Sequence, residues 1–241
     1  MNTESTFSPA VRASEEQRRI VTWSGLAGGL APILFAATAV LLSWADSSYL
    51  RDYGWTVANH HGVPWPSSLA IGPHGWLMVF TFAVVGALVI VLSAGLRHAL
   101  PANRSGRLAS RAVLLLGAGM GLSAFPVNPP QDAADVLSWT ASWHGRVHLV
   151  AFLLTIIASL IAAVSTAIAT RHDPPWRDCS KPSAFVAAVL GVTLTLPSSW
   201  AWAWYLFLAT LLAWLASLAS RLRRLAMRTA AAATAHGDEA P

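Results

Sequence analysis

Six apolar segments, separated by polar connections, run along this chain. They cover residues 22–44, 75–96, 112–125, 147–170, 183–196 and 200–220. Each approaches the roughly 20 residues that an α-helix needs to cross a hydrocarbon core about 30 Å thick. The third and fifth segments are short, and each ends at a proline, Pro126 and Pro197, which stops a helix. The pattern therefore predicts six transmembrane helices.

The composition favours a membrane protein over a soluble one. Hydrophobic residues make up 55% of the chain, charged residues only 11%, and the mean hydropathy is +0.51. A soluble domain is usually about a quarter charged. We therefore predict an all-α integral membrane bundle, with the lipid bilayer as its partner. The single cysteine, Cys179, excludes an intrachain disulfide framework and a cysteine-rich zinc module.

The positive charges occupy alternate connections of the chain, which all lie on one side of this six-span arrangement. All but two of the 16 Lys and Arg residues fall on one side, and the exceptions are Arg51 and Arg146. Because Lys and Arg favour the cytoplasmic side, both termini are predicted to be cytoplasmic and the protein to lie in the plasma membrane. The chain then divides into an N-terminal arm (1–20), a six-helix membrane domain (21–221) and a basic, then low-complexity and frayed, tail (222–241). The basic residues are short clusters beside apolar segments, which argues against a nucleic-acid partner.

The two long outer loops, 45–74 and 126–146, concentrate the residues that can do chemistry. With the adjoining helix starts they hold five histidines and four aspartates: His60, His61, His74, His144, His148, Asp46, Asp52, Asp132 and Asp135. Most tryptophans lie near the same side: Trp44, Trp55, Trp65, Trp76, Trp139, Trp143, Trp200, Trp202 and Trp204. An aromatic belt at headgroup level accounts for such tryptophans in general. Their excess on one side predicts that some of them line a substrate vestibule.

The strongest candidate for chemistry is the run His144-Gly145-Arg146-Val147-His148. If the fourth helix has begun here, His144 and His148 share one face, because residues four apart are stacked neighbours. Such a pair can act in acid–base catalysis or hold one metal ion with a third ligand from elsewhere. The alternative is structural, with both imidazoles bonded to loop backbone. We expect no cofactor, and a divalent metal on these two histidines is the second hypothesis.

Two further features bear on packing and transport. Small residues recur four apart at Gly25/Gly29 and Gly117/Gly121, which allows close helix approach in lipid. The middle of each apolar segment lacks Asp, Glu, Lys, Arg and His. Because ion-coupled transporters usually need an ionisable group within the membrane, this argues against that class.

Four motifs occur in a fixed order around the outer loops. Ser68-Leu69-Ala70-Ile71-Gly72-Pro73-His74-Gly75-Trp76 opens the second segment and Gly95-Leu96-Arg97 closes it. Phe125-Pro126-Val127-Asn128-Pro129 follows the third segment, and His144-Gly145-x-x-His148 opens the fourth. Over roughly residues 46–170, this order resembles the prokaryotic membrane family catalogued as domain of unknown function 998.

The resemblance implies about six helices and no established activity. It also implies that the matched positions meet at the outer rim. Relatives usually carry an acid in the Phe-Pro-x-Asp-Pro motif, and that position is Asn128 here. A carboxamide can neither donate a proton as an acid nor bind a metal as an anion. If the acid is catalytic in relatives, Asp132 or Asp135 is its expected replacement.

Two classes of function follow, and the first is our working hypothesis. It is an enzyme acting on a lipid or other hydrophobic small molecule at the extracytoplasmic rim. Its expected catalytic residues are His144, His148, Asp132 and Asp135. Its expected substrate-binding residues are His74, Trp76, Trp139, Trp143 and Asn128. The alternative is a non-catalytic membrane protein: a resistance or immunity factor, an exporter of apolar molecules or an assembly partner.

Overall fold

The computed structural model describes residues 9–52, 66–127, 142–196 and 201–237. In chain order the helices are α1 (Pro9–Ala45), α2 (Ser47–Asp52), a 3₁₀ helix (Pro66–Ile71), α3 (Trp76–Ala99), α4 (Arg104–Leu122), α5 (Trp143–Thr170), α6 (Arg177–Thr195) and α7 (Ala201–Gly237). These ranges contain no β-strand. The all-α class predicted from the apolar pattern is confirmed.

The six long helices form a closed ring. α1 packs against α3, α3 against α4, α4 against α5, α5 against α6, α6 against α7, and α7 returns to α1. Side chains from the ring fill its centre, with Phe35, Leu92, Leu116, Leu190 and Leu211 among those that are buried. Each long helix therefore has two neighbours, one inward face and one outward face.

Four of these helices are long and apolar enough to cross a membrane. They are Glu15–Ala45, Trp76–Ala99, Trp143–Thr170 and Ala203–Arg228, which correspond to the first, second, fourth and sixth predicted segments. Their outward faces stay apolar, since Val40, Phe80 and Val150 are all more than half exposed. Large apolar surfaces of this kind are rare on soluble monomers and suit contact with lipid tails.

The predicted third and fifth segments fall within α4 and α6, which are 19 residues each. Both helices begin earlier than predicted, at Arg104 and Arg177, so each opens with a polar, basic turn that lowers its hydropathy. The side chain of Asn103 caps α4 by accepting a hydrogen bond from the Gly106 N–H at 2.8 Å. α4 also ends at Leu122, short of the predicted boundary.

The ends of the chain are more helical than predicted. α1 begins at Pro9, inside the predicted arm, and a proline fits the first turn of a helix because its missing N–H has no intrahelical partner there. α7 continues to Gly237, through most of the predicted frayed tail at 222–241. Its alanine-rich end explains the difference, since alanine has the highest helix propensity. The predicted loop at 45–74 contains α2 and the 3₁₀ helix.

Glycines determine how closely the helices approach each other. A Cβ on Gly86 of α3 would lie 2.4 Å from the backbone nitrogen of Gly121 and 2.7 Å from the carbonyl oxygen of Gly117, both in α4. A Cβ on Gly25 of α1 would lie 2.7 Å from the Arg223 side chain and 3.1 Å from the Ala219 carbonyl oxygen, both in α7, whereas Gly29 faces open space. The predicted packing role is therefore confirmed for Gly25 and Gly117 and wrong for Gly29.

Candidate functional site

One end of the ring collects the end of α1, the start of α3, the end of α4 and the start of α5. Hydrogen bonds join α1 to the turn before α3, and α5 to the segment after α4. We call this end the histidine rim and define it by His74, His144 and His148. Trp76 and Trp143 begin α3 and α5 at the same end. Five of the predicted site residues therefore lie at this end of the ring, His74 and Trp76 at the entry to α3 and the other three at the start of α5.

On the rim, the buried side chain of Asp46 is paired with the exposed side chain of His74. The Asp46 side chain, directly after α1, is 1% exposed, whereas that of His74 is 56% exposed. Oδ1 of Asp46 lies 2.6 Å from Nδ1 of His74, and Oδ2 accepts a hydrogen bond from the His74 backbone N–H at 3.3 Å. Because a carboxylate only accepts, Nδ1 carries the hydrogen. In the neutral His74 ring, Nε2 is therefore the nitrogen that can accept a hydrogen bond or a proton.

A glycine turn holds this pair in place. A Cβ on Gly72 would lie 2.5 Å from Oδ2 of Asp46, so the carboxylate occupies the space that any side chain would need. The Gly75 N–H donates to the Gly72 carbonyl oxygen at 2.9 Å and closes the turn that presents His74. A Cβ on Gly75 would come within 2.2 Å of the Ala70 carbonyl oxygen. The backbone therefore excludes any side chain at position 75, whereas a side chain at position 72 would displace the Asp46 carboxylate.

The start of α5 places the two remaining rim histidines. α5 begins at Trp143, and the Ser142 side chain caps it by accepting from the Gly145 N–H at 3.1 Å. His144 and His148 thus lie within the helix, one turn apart. Because the helix has begun before both of them, the two histidines share one helical face, as their spacing predicted.

Both histidines bond to the chain that follows α4. Nδ1 of His144 donates to the Pro126 carbonyl oxygen at 2.7 Å, and Nδ1 of His148 donates to the Phe125 carbonyl oxygen at 2.8 Å. His148 is buried, with its ring edge-on to Phe82 at a centroid distance of 6.2 Å. Both imidazoles therefore bond to backbone, as the structural alternative for this pair requires. The two bonds satisfy carbonyl groups that lie beyond the end of α4.

The rim tryptophans are exposed. Trp76 is 65% and Trp143 is 66% exposed. Trp143 packs edge-on against Phe125 and His144, with centroid distances of 5.6 and 5.7 Å. The other predicted site residues lie outside the described residues: Asn128, Asp132, Asp135 and Trp139.

A small cavity of about 90 Å³ lies inside the ring, next to His148's neighbour Phe82. Aromatic side chains form much of its wall, including Phe35, Phe152 and Trp204. Two of its hydroxyls, those of Ser123 and Thr155, donate to carbonyls of their own helices, and Ser67 of the 3₁₀ helix also lines it. The cavity is therefore a largely apolar space.

A larger groove of about 770 Å³ separates α1 from α7 on the outside of the ring. Small residues on both helices create it: Ala36, Ala39, Ala209, Ala213 and Ala216. Towards the rim it is bounded by Ser43 and Trp44 of α1 and by Pro66 and Leu69 of the 3₁₀ helix. Trp44 is 77% exposed, so the groove opens to the surroundings. It is a lipid-facing apolar trough that ends beside the rim.

Asp46 is the site residue that the sequence did not single out. It stood among four loop aspartates, and only the fold shows that it pairs with His74, 28 residues away. The sequence did contain one signal, which is the position of Asp46 directly after a long apolar helix. An acid that is buried at such a position needs a hydrogen-bonding partner. In the described part of the chain, no three His, Cys, Asp or Glu side chains are close enough to hold one metal ion.

Fold and site together define the class. This is an all-helical protein with four helices able to cross a membrane and a buried carboxylate–imidazole pair at one end of its ring. The family model described as "Protein of unknown function (DUF998)" matches residues 65–221, more than half of the chain. The chain belongs to this family, as its motifs predicted.

The family match includes His74, His144 and His148 but begins after Asp46. It starts later than the motif resemblance and extends further, through most of the spanning part of α7. No curated protein matches the chain. No solved structure matches it either.

Proposed function

We propose that this chain crosses the plasma membrane six times, with both termini in the cytoplasm. α4 and α6 each complete the ring between two of the four long apolar helices, which supports their insertion as spans. Glycine contacts bring α4 against α3 at backbone distance. The end opposite the histidine rim carries the arginines that open α4 and α6 and those that follow the apolar part of α7. That end is therefore assigned to the cytoplasm.

We propose further that the protein is an enzyme acting on a lipid or other hydrophobic small molecule at the extracytoplasmic rim. The observation that carries this is the buried Asp46 carboxylate bonded to the exposed imidazole of His74. Such a carboxylate holds the ring in one tautomer and orientation and stabilises the imidazolium. His74 would accept a proton at Nε2 from a hydroxyl or water at the rim and return it later in the reaction.

The groove between α1 and α7 is the proposed site for the apolar part of the substrate. Ser43 and Trp44 at its end lie three and two residues before Asp46, and Leu69 precedes the turn that carries His74. A chain-like molecule lying in the groove would thus direct its polar end towards the pair. Mostly apolar pockets with a few polar groups at one end are typical of small-molecule sites.

The remaining predicted residues keep supporting roles in this proposal. His144 offers Nε2 as a second acid–base atom, because its Nδ1 is committed to the Pro126 carbonyl. His148 fixes the start of α5 beneath it. Trp76 and Trp143 would contact the apolar part of the substrate. Four further residues are assigned to the same rim by their place in the chain: Asn128, Asp132, Asp135 and Trp139.

The non-catalytic alternative also has an observation in its favour. All three rim histidines use Nδ1 to tie helix ends together: His74 to Asp46, His144 and His148 to the chain after α4. A clamp of this kind would serve an exporter of apolar molecules, a resistance or immunity factor or an assembly partner equally well.

A pair of neighbouring alanines tests the groove. Ala36 and Ala37 of α1 are both exposed, but only Ala36 lines the groove. We expect Ala36→Trp to fill it and to lose any co-purifying hydrophobic molecule that mass spectrometry detects in the wild type. Ala37→Trp should retain that molecule. Equal occupancy in both variants would contradict the groove as the binding site.

Two isosteric changes test the chemistry. Membranes containing wild type, His74→Gln or Asp46→Asn are incubated with the lipid extract of the host, and products are compared by mass spectrometry. The enzyme proposal expects a product that accumulates with the wild type and falls by about 10²-fold or more in both variants, the usual contribution of a general base. If an Ala36→Trp-sensitive ligand binds but no product depends on His74, the alternative function is favoured.

The topology has its own test. Tags at both termini should be reachable by impermeant antibody only after intact cells are permeabilised. A tag that is reached without permeabilisation overturns the proposed orientation.

A further inference from the structure

At the end opposite the histidine rim, α6 and α7 enclose a pocket of about 410 Å³. Its lining residues are Asp178, Cys179, Pro182, Ser217, Arg221, Arg224 and Arg228. The three arginines are spaced three and four apart on α7, so they lie on one face of that helix. The pocket is thus a basic concavity between two neighbouring helices.

Arg221 forms the fixed part of this pocket. Its side chain is only 10% exposed. Nε donates to the Pro175 carbonyl oxygen at 2.8 Å, and Nη2 bonds the same oxygen. Its one carboxylate contact among the described residues is Asp178, at 3.5 Å, which is 82% exposed and therefore a weak, water-screened partner.

Arg224 and Arg228 are the exposed part of the pocket. Within the described ranges, neither lies at ion-pair distance from a carboxylate. The lining therefore holds three guanidiniums against one carboxylate. Cys179 experiences this charge: burial raises the pKa of its thiol, while Arg221 and Arg224 act to lower that pKa.

We propose that this pocket binds the phosphate group of an anionic membrane lipid from the adjoining leaflet. Guanidinium groups match the geometry of phosphate oxygens, and basic pockets between helices at the cytoplasmic side suit anionic headgroups. The surface next to the pocket supports a lipid as the source. Phe185 lies one turn beyond Pro182 on α6 and is 68% exposed, and Val192 is 60% exposed two turns further. Acyl chains can lie along this apolar stripe while the headgroup occupies the pocket.

The chain carries its own reporter for this test, because Cys179 is its single cysteine and lines the pocket. The protein is placed in nanodiscs of phosphatidylcholine alone or with increasing phosphatidylglycerol, and the rate of alkylation by a soluble maleimide is measured. We expect phosphatidylglycerol to slow alkylation several-fold, because the bound phosphate both covers the thiol and removes the positive field. Inorganic phosphate in phosphatidylcholine discs should have little effect.

Neighbouring arginines supply matched variants. Arg224→Gln/Arg228→Gln should require roughly 25-fold more phosphatidylglycerol for half-protection, at about fivefold for each arginine. Arg223→Gln, which changes one exposed charge outside the pocket lining, should retain protection. Arg224→Lys/Arg228→Lys keeps the charge but loses the guanidinium geometry, so its protection should fall between that of the wild type and that of the double Gln variant. Comparing variants in the same discs cancels the general effect of surface charge on the reagent.

Three results would overturn the proposal. Protection by inorganic phosphate equal to that by phosphatidylglycerol would show a soluble anion as the ligand. Equal loss in Arg223→Gln and the double Gln variant would show a surface effect without a site. Absence of protection in the wild type would show an empty pocket. None of these results depends on the acid–base chemistry proposed for the histidine rim.

Discussion

The contact between α3 and α4 yields the sharpest prediction, because three glycines meet there at backbone distance. We expect Gly86→Ala to destabilise the protein, although alanine is the better helix former. A Cβ at this position meets the Gly121 nitrogen at 2.4 Å, its Cα at 2.5 Å and the Gly117 carbonyl oxygen at 2.7 Å. All three atoms belong to the backbone, so no side chain can rotate away.

The size of the effect follows from these distances. An ordinary contact begins at 3.4 Å, so the 2.4 Å approach must widen by about 1 Å, which moves one whole helix against the other. Overpacking of this kind costs about 1–3 kcal/mol. The same substitution at Gly121 places its Cβ 3.9 Å from Gly86, and at Gly29 it meets open space. The helix-propensity gain, at most about 1 kcal/mol, is shared by all three variants and cancels in the comparison.

The assay is reversible unfolding in mixed detergent micelles, followed by circular dichroism. Gly86→Ala should be less stable than Gly121→Ala by about 1–3 kcal/mol, and Gly29→Ala should match or exceed the wild type. If Gly86→Ala unfolds at the same midpoint as Gly121→Ala, the helices are not in backbone contact there, and the argument for α4 as an inserted partner of α3 loses its main support.

Three further outcomes are expected. Asp46→Ala and His74→Ala should each destabilise the protein. A double-mutant cycle should give a coupling free energy of only about 1 kcal/mol, because His74 is more than half exposed. Strictly additive effects would show that the two side chains do not interact. His148→Ala should cost about 1–3 kcal/mol and more than His144→Ala, because His148 is the buried ring of the two and its loss also removes the bond to the Phe125 carbonyl; the reverse order in thermal unfolding would refute this. Because burial raises the pKa of Cys179, its alkylation should be slow at neutral pH and accelerate as the pH rises through that pKa; a full rate at pH 7 would contradict the shift.

The long apolar helices could be predicted because crossing a membrane is a local property of about 20 residues. The four strongest segments appear in the structure; the second and fourth agree with their predicted bounds within four residues, whereas the first begins seven residues earlier and the sixth ends eight residues later. α4 and α6 were harder to place, since their first turns are polar and basic. Capping by Asn103, rather than apolar pattern, determines where α4 starts.

The candidate site could be predicted only in part. The spacing of His144 and His148 correctly implied a shared helical face, because that geometry depends on helix pitch alone. The pairing of Asp46 with His74 depends on how α1 meets the turn before α3, which no short window of sequence encodes. The groove likewise exists only because α1 and α7, the first and last long helices, are neighbours in the ring.

That adjacency has a consequence for biosynthesis. α1 is made before α7, so within the described helices one of its flanks has no neighbour until α7 has been made and inserted. A nascent chain that stops before residue 201 lacks α7. It therefore lacks one wall of the groove and the three arginines of the basic pocket. If the groove and the basic pocket bind ligands as proposed, that binding requires α7 and can begin only after α7 has joined α1 and α6.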